Sequence, residues 1–113
     1  MSSGPVIHIV SFKYKNVDDA PEASRRFKAL MTECKFHDGK PYILSLVAGS
    51  NNSPEEGSKG LEHTFIVTFP NLETRDYYLD VDVTHQEFKK YIGPLVEDKF
   101  KFDFIDGQLD IAK

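Results

Sequence analysis

The sequence predicts an α+β domain in which strands and helices follow the order βαββαβ. Three observations support this. Apolar residues alternate with a period of two in some stretches, recur with a helical period in others, and turn-forming residues separate them. The 113 residues, 40% of them hydrophobic, suffice for one core without disulfide or metal. We therefore expect a single domain over 1–113, with its core at about 5–106 and a polar tail at 107–113.

The first half of the chain is predicted to form a strand, a helix and a second strand. Residues 6–14 alternate, and both faces begin with apolar side chains, which is typical of a strand covered on both sides. Acidic residues and Pro21 mark the start of a helix. The apolar stripe of that helix consists of Phe27, Leu30, Met31 and Cys34. A short strand over 43–48 and an exposed loop over 49–60 follow.

The second half begins with the clearest strand pattern. Residues 61–69 alternate, and Pro70 ends the strand. Asn71 is suited to cap a short helix. Phe100, Phe102 and Phe104 share one face of the closing strand, which we expect over 99–105.

The last helix carries a capping box in its sequence. The segment Thr84-His85-Gln86-Glu87 has Thr at the N-cap position and Glu three residues later, so His85 becomes the first helical residue. Asp80 and Asp82, just before it, are expected to lie in a solvated turn.

Two βαβ units in this order indicate a ferredoxin-like sandwich. Right-handed crossovers then place the first and third strands side by side at the centre of the sheet. His8 and His63 both lie on the face with the larger apolar residues, so their rings are expected to meet in a cavity beneath the helices, where His85 also points. Three such imidazoles would supply acid–base chemistry near neutral pH.

The predicted cavity is dry and aromatic. Its expected lining residues are Phe12, Phe27, Phe65, Tyr77, Phe88 and Ile92, a set suited to a flat or long apolar molecule. A helix N-terminus disfavours protonation, so His85 is expected to be a neutral imidazole that can act as a base.

Simpler interpretations of the same residues stay open. A single histidine on a strand is most often a core residue bonded to a carbonyl, and His85 can be a surface cap. The histidine spacings of 55 and 22 residues match no metal motif, so no metal is expected. The sequence also has no phosphate-binding glycine pattern, and no other cofactor is expected. Cys34 lies on the helical stripe and is expected to be buried and inert.

Charge and cysteine content limit the partners. A net charge of −4 argues against nucleic acid and anionic membranes. No apolar run approaches the roughly 20 residues of a membrane span, and the first five residues lack the features of a signal peptide. The single cysteine favours a reducing, cytoplasmic setting.

A single four-stranded sheet also needs its other face covered. The apolar residues proposed to cover it against a second copy of the chain are Ile7, Ile9, Ile66 and Ile105. A homodimer with sheets packed face to face follows as an expectation.

Five segments together resemble the stress-responsive dimeric α/β-barrel (A/B barrel) family. They are residues 6–15, 60–69, 75–79, 84–88 and 100–104, and the likeness extends over about 5–106 and is strongest to fungal members. The resemblance implies a dimer of two sheets with a cavity between each sheet and its own helices. Members of the family include stress proteins of unsettled activity and a plant polyketide cyclase that carries out an aldol condensation. Related families contain lyases that need no metal or organic cofactor.

The resemblance also implies a set of site residues. His8, His63, Tyr78 and His85 match the cyclase positions, where a Tyr–His pair does the acid–base work. The segment before His85 is one residue longer here, so Tyr77 is an alternative to Tyr78 as the pocket tyrosine. Three functions stay open: a small-molecule-binding stress protein, a cofactor-independent polyketide cyclase or lyase, and a protein-stabilising structural role for the dimer.

Overall fold

A computed structural model describes residues 4–111 as a four-stranded antiparallel sheet with helices packed on one face. The elements are β1 (Val6–Tyr14), α1 (Ala20–Glu33), β2 (Ser45–Ser50), β3 (His63–Phe69), α2 (Leu72–Asp80), α3 (Val83–Ile92) and β4 (Val96–Ile105). The strand order is β2-β3-β1-β4, so the predicted ferredoxin-like arrangement is confirmed, with β1 and β3 at the centre. The first three residues lie outside the described range; they belong to the segment that was predicted not to be a signal peptide. The last two residues of the predicted tail also lie outside it.

The register of β1 decides which side chains share a face. His8 lies opposite Val67 of β3 and Asp103 of β4, and Phe12 lies opposite His63. Directly paired residues of an antiparallel sheet point to the same side. The helix side of β1 consists of Val6, His8, Val10, Phe12 and Tyr14, all of them buried.

An aromatic cluster holds the helices on this face. The rings of Phe27 on α1 and Phe65 on β3 stack with centroids 4.1 Å apart, and Phe88 of α3 meets Phe27 edge-on at 5.1 Å. Such pairs add about 0.5–1.5 kcal/mol each beyond the burial of their area. Cys34 is buried, as predicted, and desolvation raises the pKa of its thiol.

The beginning of α3 differs from the prediction. Asp82 is the N-cap, and its Oδ1 accepts hydrogen bonds from the main-chain N–H groups of Thr84 (2.9 Å) and His85 (3.4 Å). Its Oδ2 accepts the Tyr42 hydroxyl at 2.6 Å, and Asp82 is only 2% exposed. The expectations of Thr84 as the cap and of Asp82 in a solvated turn are therefore wrong. Tyr42, a partner 40 residues away, makes Asp82 the better cap, and local sequence does not reveal it.

The other face of the sheet carries a row of exposed apolar side chains. Phe100, Phe102 and Phe104 of β4 are 46%, 53% and 38% exposed, and Ile7 and Ile9 of β1 pair across from two of them. This is the open face of the sheet.

The prediction that Ile105 lies on the open face is wrong. Ile105 pairs with Val6 and so lies on the helix side, packed against the core. The alternation of β4 requires this once its phenylalanines take the open face. Among residues 4–111, no helix has the length and apolarity needed to cross a membrane.

Candidate functional site

A cavity of about 130 Å³ lies between β1, β4 and α3 on the helix side of the sheet. Its apolar wall consists of Val10, Phe12, Phe27, Leu79, Phe88, Ile92 and Val96. Its polar groups are His8, His85, Lys89, Lys99 and Lys101. The structure thus places two of the three predicted histidines in one apolar cavity.

Four of the six predicted lining residues are in the wall, and two are not. Phe65 lies beneath Phe27 in the core, where it is 1% exposed. Tyr77 faces away from the cavity: its hydroxyl donates to the carbonyl oxygen of Lys35 (3.1 Å), and its ring contacts Phe36. Neither residue is among those that line the cavity, although helical and strand periodicity put both near the core.

His63 does not join the other two histidines. It pairs with Phe12, whereas His8 pairs with Val67, so the two rings are separated by four residues along the paired strands, or about 13 Å. Its Nδ1 is 2.9 Å from the hydroxyl oxygen of Tyr14. The prediction identified the correct face, but the antiparallel register sets the position along the strand, and His63 lies at the other end.

His85 is held as a neutral imidazole. Its Nδ1 lies 2.6 Å from the main-chain carbonyl oxygen of Tyr78, and since a carbonyl oxygen only accepts, Nδ1 carries the hydrogen. Desolvation by burial, together with the nearby charges of Lys89 and His8, outweighs the bond to the Tyr78 carbonyl and lowers the pKa of His85 to about 4. At neutral pH the Nε2 atom therefore has a free lone pair, as a general base requires.

His8 is backed by a carboxylate that the sequence prediction missed. Its Nδ1 donates to Asp103 Oδ1 at 2.6 Å, and Asp103 Oδ2 accepts Nη1 of Arg75 at 3.0 Å. Burial alone raises the pKa of Asp103, but the bonds from His8 and Arg75 outweigh it and hold that pKa below its ordinary value. A carboxylate at Nδ1 stabilises positive charge on the ring when Nε2 is protonated.

A signal for Asp103 was present in the sequence. If Phe100, Phe102 and Phe104 share the open face, then Lys99, Lys101 and Asp103 must alternate with them on the helix side. Charged residues on a face that packs against helices mark a site.

Tyr78 contributes to the site through its main chain and ring. The residue is fully buried, its ring stacks on that of His85 with centroids 3.6 Å apart, and it is absent from the cavity wall. The resemblance implies a Tyr–His pair that does the acid–base work, but it is the main-chain carbonyl of Tyr78 that bonds to His85. Burial raises the pKa of the phenol well above 10.

The polar groups of the cavity are thus two imidazoles and three lysines. Among residues 4–111, no three or more His, Cys, Asp or Glu side chains are grouped to hold a metal ion. The arrangement is suited to moving protons: one neutral imidazole to accept a proton, and a second, carboxylate-backed imidazole to donate one.

Comparison with known proteins identifies the family. Residues 6–106 match the model of the Stress responsive A/B Barrel Domain. The chain belongs to the A/B barrel family. The resemblance expected from the sequence is therefore confirmed over nearly the range predicted for it.

Individual relatives of this A/B barrel protein are more distant. A fusaristatin A biosynthesis cluster protein from Gibberella zeae is 28% identical over 105 residues, which cover 91% of this chain and 73% of that protein. A hydroxynitrile lyase from Passiflora edulis has a TM-score of 0.75 at 19% identity, covering 95% of this chain and 97% of the lyase. A dimeric ferredoxin-like protein from a Jannaschia species has a TM-score of 0.73 at 21% identity, covering 90% and 99%. The structural likenesses establish the fold.

Proposed function

We propose that this A/B barrel protein is a homodimer that binds a small molecule in the cavity and catalyses a lyase-type reaction on it by proton transfer. The observation that carries the proposal is the presence in one apolar cavity of neutral His85 and carboxylate-backed His8. The fold shared with a hydroxynitrile lyase supports the reaction class.

The proposed chemistry cleaves a carbon–carbon bond next to a hydroxyl. Nε2 of His85 takes the hydroxyl proton, the oxygen forms a carbonyl, and the electron pair of the breaking bond moves to the departing carbon. That carbon is either the nitrile carbon itself, which leaves as cyanide, or a carbon stabilised by a neighbouring carbonyl group. Nε2 of protonated His8 then delivers its proton to that carbon. Until that step, Asp103 stabilises the positive charge of the His8 imidazolium. The reverse sequence is an aldol-type bond formation, so a lyase and a polyketide cyclase would use the same two residues.

The apolar wall keeps His85 in its unprotonated form at neutral pH. Phe12, Phe27 and Phe88 line the cavity, and the two imidazoles are buried. In such a site the local dielectric constant is low, and hydrogen bonds to developing charge are stronger than in water.

The test measures cleavage of an aromatic hydroxynitrile and of an aromatic β-hydroxyketone, by the absorbance of the carbonyl product. We expect turnover by the wild type and a loss of about 10²- to 10⁴-fold in His85→Asn and in His8→Asn. His37→Asn is the matched control, because His37 is exposed and distant from the cavity wall. Equal rates in all four proteins, or no turnover of either substrate, would contradict the proposed chemistry.

The homodimer forms through the open face of the sheet. Three exposed phenylalanines in one row are costly in water, and a second copy of the face covers them. The dimeric state of the ferredoxin-like protein from Jannaschia supports a second copy of the chain as the partner at this face.

Sedimentation tests this assembly. We expect a dimer at micromolar concentration for the wild type and for Val17→Asp, a control in which an equally exposed apolar residue outside the sheet is charged. Phe102→Asp buries a charge at the interface and is expected to sediment as a monomer. A monomeric wild type excludes the assembly.

A further inference from the structure

The cavity has a charge opposite to that of the whole chain. The protein has a net charge of −4, yet among the described residues three lysines and no aspartate or glutamate line the cavity. An excess of one sign inside a cleft attracts ligands of the other sign, since low-dielectric walls focus the field.

The lysines reach the cavity from two elements that face each other. Lys99 and Lys101 are successive helix-side residues of β4, opposite Phe12 and Val10, respectively, of β1. Lys89 comes from α3, one turn after His85. All three lysines line the cavity, although Lys99 and Lys101 are exposed and Lys89 is half-buried. Long charged side chains of this kind cover apolar surface with their stems and keep their charged ends in contact with water.

The described residues offer these three charges little compensation. Among the residues from 4 to 111, none of the ion pairs involves Lys89, Lys99 or Lys101. Lys89 Nζ donates to the carbonyl oxygen of Leu79, a neutral acceptor. Asp103, the next helix-side residue of β4, is already bonded to His8 and Arg75.

The positive charges of the lysines also repel one another. Desolvation lowers the pKa of Lys101, and the charges of Lys99 and Lys89 lower it further. A bound anion reverses this unfavourable arrangement, because it places a negative charge where three positive charges converge.

The volume of the cavity limits the size of the apolar part of a ligand. A cavity of about 130 Å³ is slightly smaller than the roughly 150 Å³ apolar cavity that accepts benzene. Phe12, Phe88 and Ile92 offer an apolar surface for a body of about one ring.

We propose that the ligand is a small monocarboxylate, with a body of one ring or a short chain among the apolar residues and its carboxylate at Lys89, Lys99 and Lys101. This proposal deepens the lyase function and rests on the same cavity. The carboxylate would anchor the substrate so that its reacting carbon lies between the two histidines.

The test measures binding, which is independent of turnover. Benzoate, its neutral isostere benzamide and inorganic phosphate are titrated into the dimer at low salt by calorimetry. We expect benzoate to bind about tenfold more tightly than benzamide and to weaken as salt is added. Comparable affinity for benzamide would overturn the role of charge, and comparable affinity for phosphate would overturn the role of the apolar body.

Variants locate the binding. The double variant Lys99→Gln/Lys101→Gln is expected to lose about tenfold in benzoate affinity. Lys90→Gln, next to Lys89 on α3, is the control, because Lys90 pairs with Glu87 and lies outside the cavity wall. Unchanged affinity in the double variant would refute the proposal.

The two proposals fail in different ways. Benzoate binding without cleavage of the hydroxynitrile or the β-hydroxyketone, each also offered with a carboxylate on its ring, leaves the carboxylate site standing and removes the lyase. Cleavage without a preference for benzoate over benzamide leaves the lyase standing and removes the carboxylate site.

Discussion

The ring of Tyr78 stacks on that of His85 with centroids 3.6 Å apart and planes inclined by 14°, while within the described part of the chain its hydroxyl has no hydrogen-bond partner. The same residue supplies the carbonyl oxygen that receives Nδ1–H of His85. Tyr78 therefore positions the imidazole with its ring and main chain, and its hydroxyl has no part in either contact.

The Tyr78→Phe variant separates these contributions. An unpaired buried hydroxyl costs desolvation free energy, so its removal is expected to raise the free energy of unfolding by about 1 kcal/mol, measured by urea denaturation. Turnover and benzoate affinity are expected to stay within about twofold of the wild type, since ring and carbonyl remain. A hundredfold loss of turnover in a stable variant would restore the hydroxyl as a catalytic group.

His85 should make stability depend on pH. Its folded pKa of about 4 lies below the ordinary value of 6.5, so between these values the unfolded chain binds a proton that the folded protein does not. The free energy of unfolding should therefore fall by about 3 kcal/mol as pH is lowered from about 6.5 to about 4.

Denaturation curves across this range check the prediction. His85→Asn is expected to lose most of that slope, whereas His37→Asn should keep it because His37 is exposed. Parallel slopes in His85→Asn and the wild type would mean that His85 is not held neutral. Turnover by the wild type is expected to persist at pH 5, where an ordinary histidine is mostly protonated.

Asp103 connects His8 to Arg75, and Asp103→Asn tests that connection. The amide keeps the shape but not the negative charge, so the variant loses stabilisation of the protonated His8. We expect a 10- to 100-fold fall in turnover, corresponding to about 1.5–3 kcal/mol for a hydrogen bond to a charged group.

Asp98→Asn is the control for this variant, since Asp98 is an exposed residue on the same strand. The affinity for benzoate should change little in Asp103→Asn, because the proposed carboxylate contacts are the lysines. Wild-type turnover in the variant would show that Asp103 has no role beyond structure.

Asp82 is the buried link between α3 and Tyr42. In Asp82→Ala the helix loses its N-cap, at about 1 kcal/mol, and the Tyr42 hydroxyl loses its acceptor, at about 1–3 kcal/mol. We expect the free energy of unfolding to fall by about 2–4 kcal/mol in urea denaturation. Asp80→Ala, an exposed control two residues earlier, should change it by less than about 0.5 kcal/mol.

Local patterns in the sequence determined much of this protein. The period-two alternation of residues 6–14 and 61–69, together with the helical stripe through Phe27, predicted the elements, their order and the faces of the central strands. These features depend on neighbours within a few residues, which the chain itself displays.

Only the tertiary structure decided which residues share the cavity. Antiparallel register separated His63 from His8, and a bond from Tyr42 moved the cap of α3 to Asp82. Pairing of β4 with β1 brought Asp103 to His8 and two lysines to the cavity wall. Each outcome depends on contacts between residues far apart in the chain, and periodicity contains no information about how such segments slide past one another.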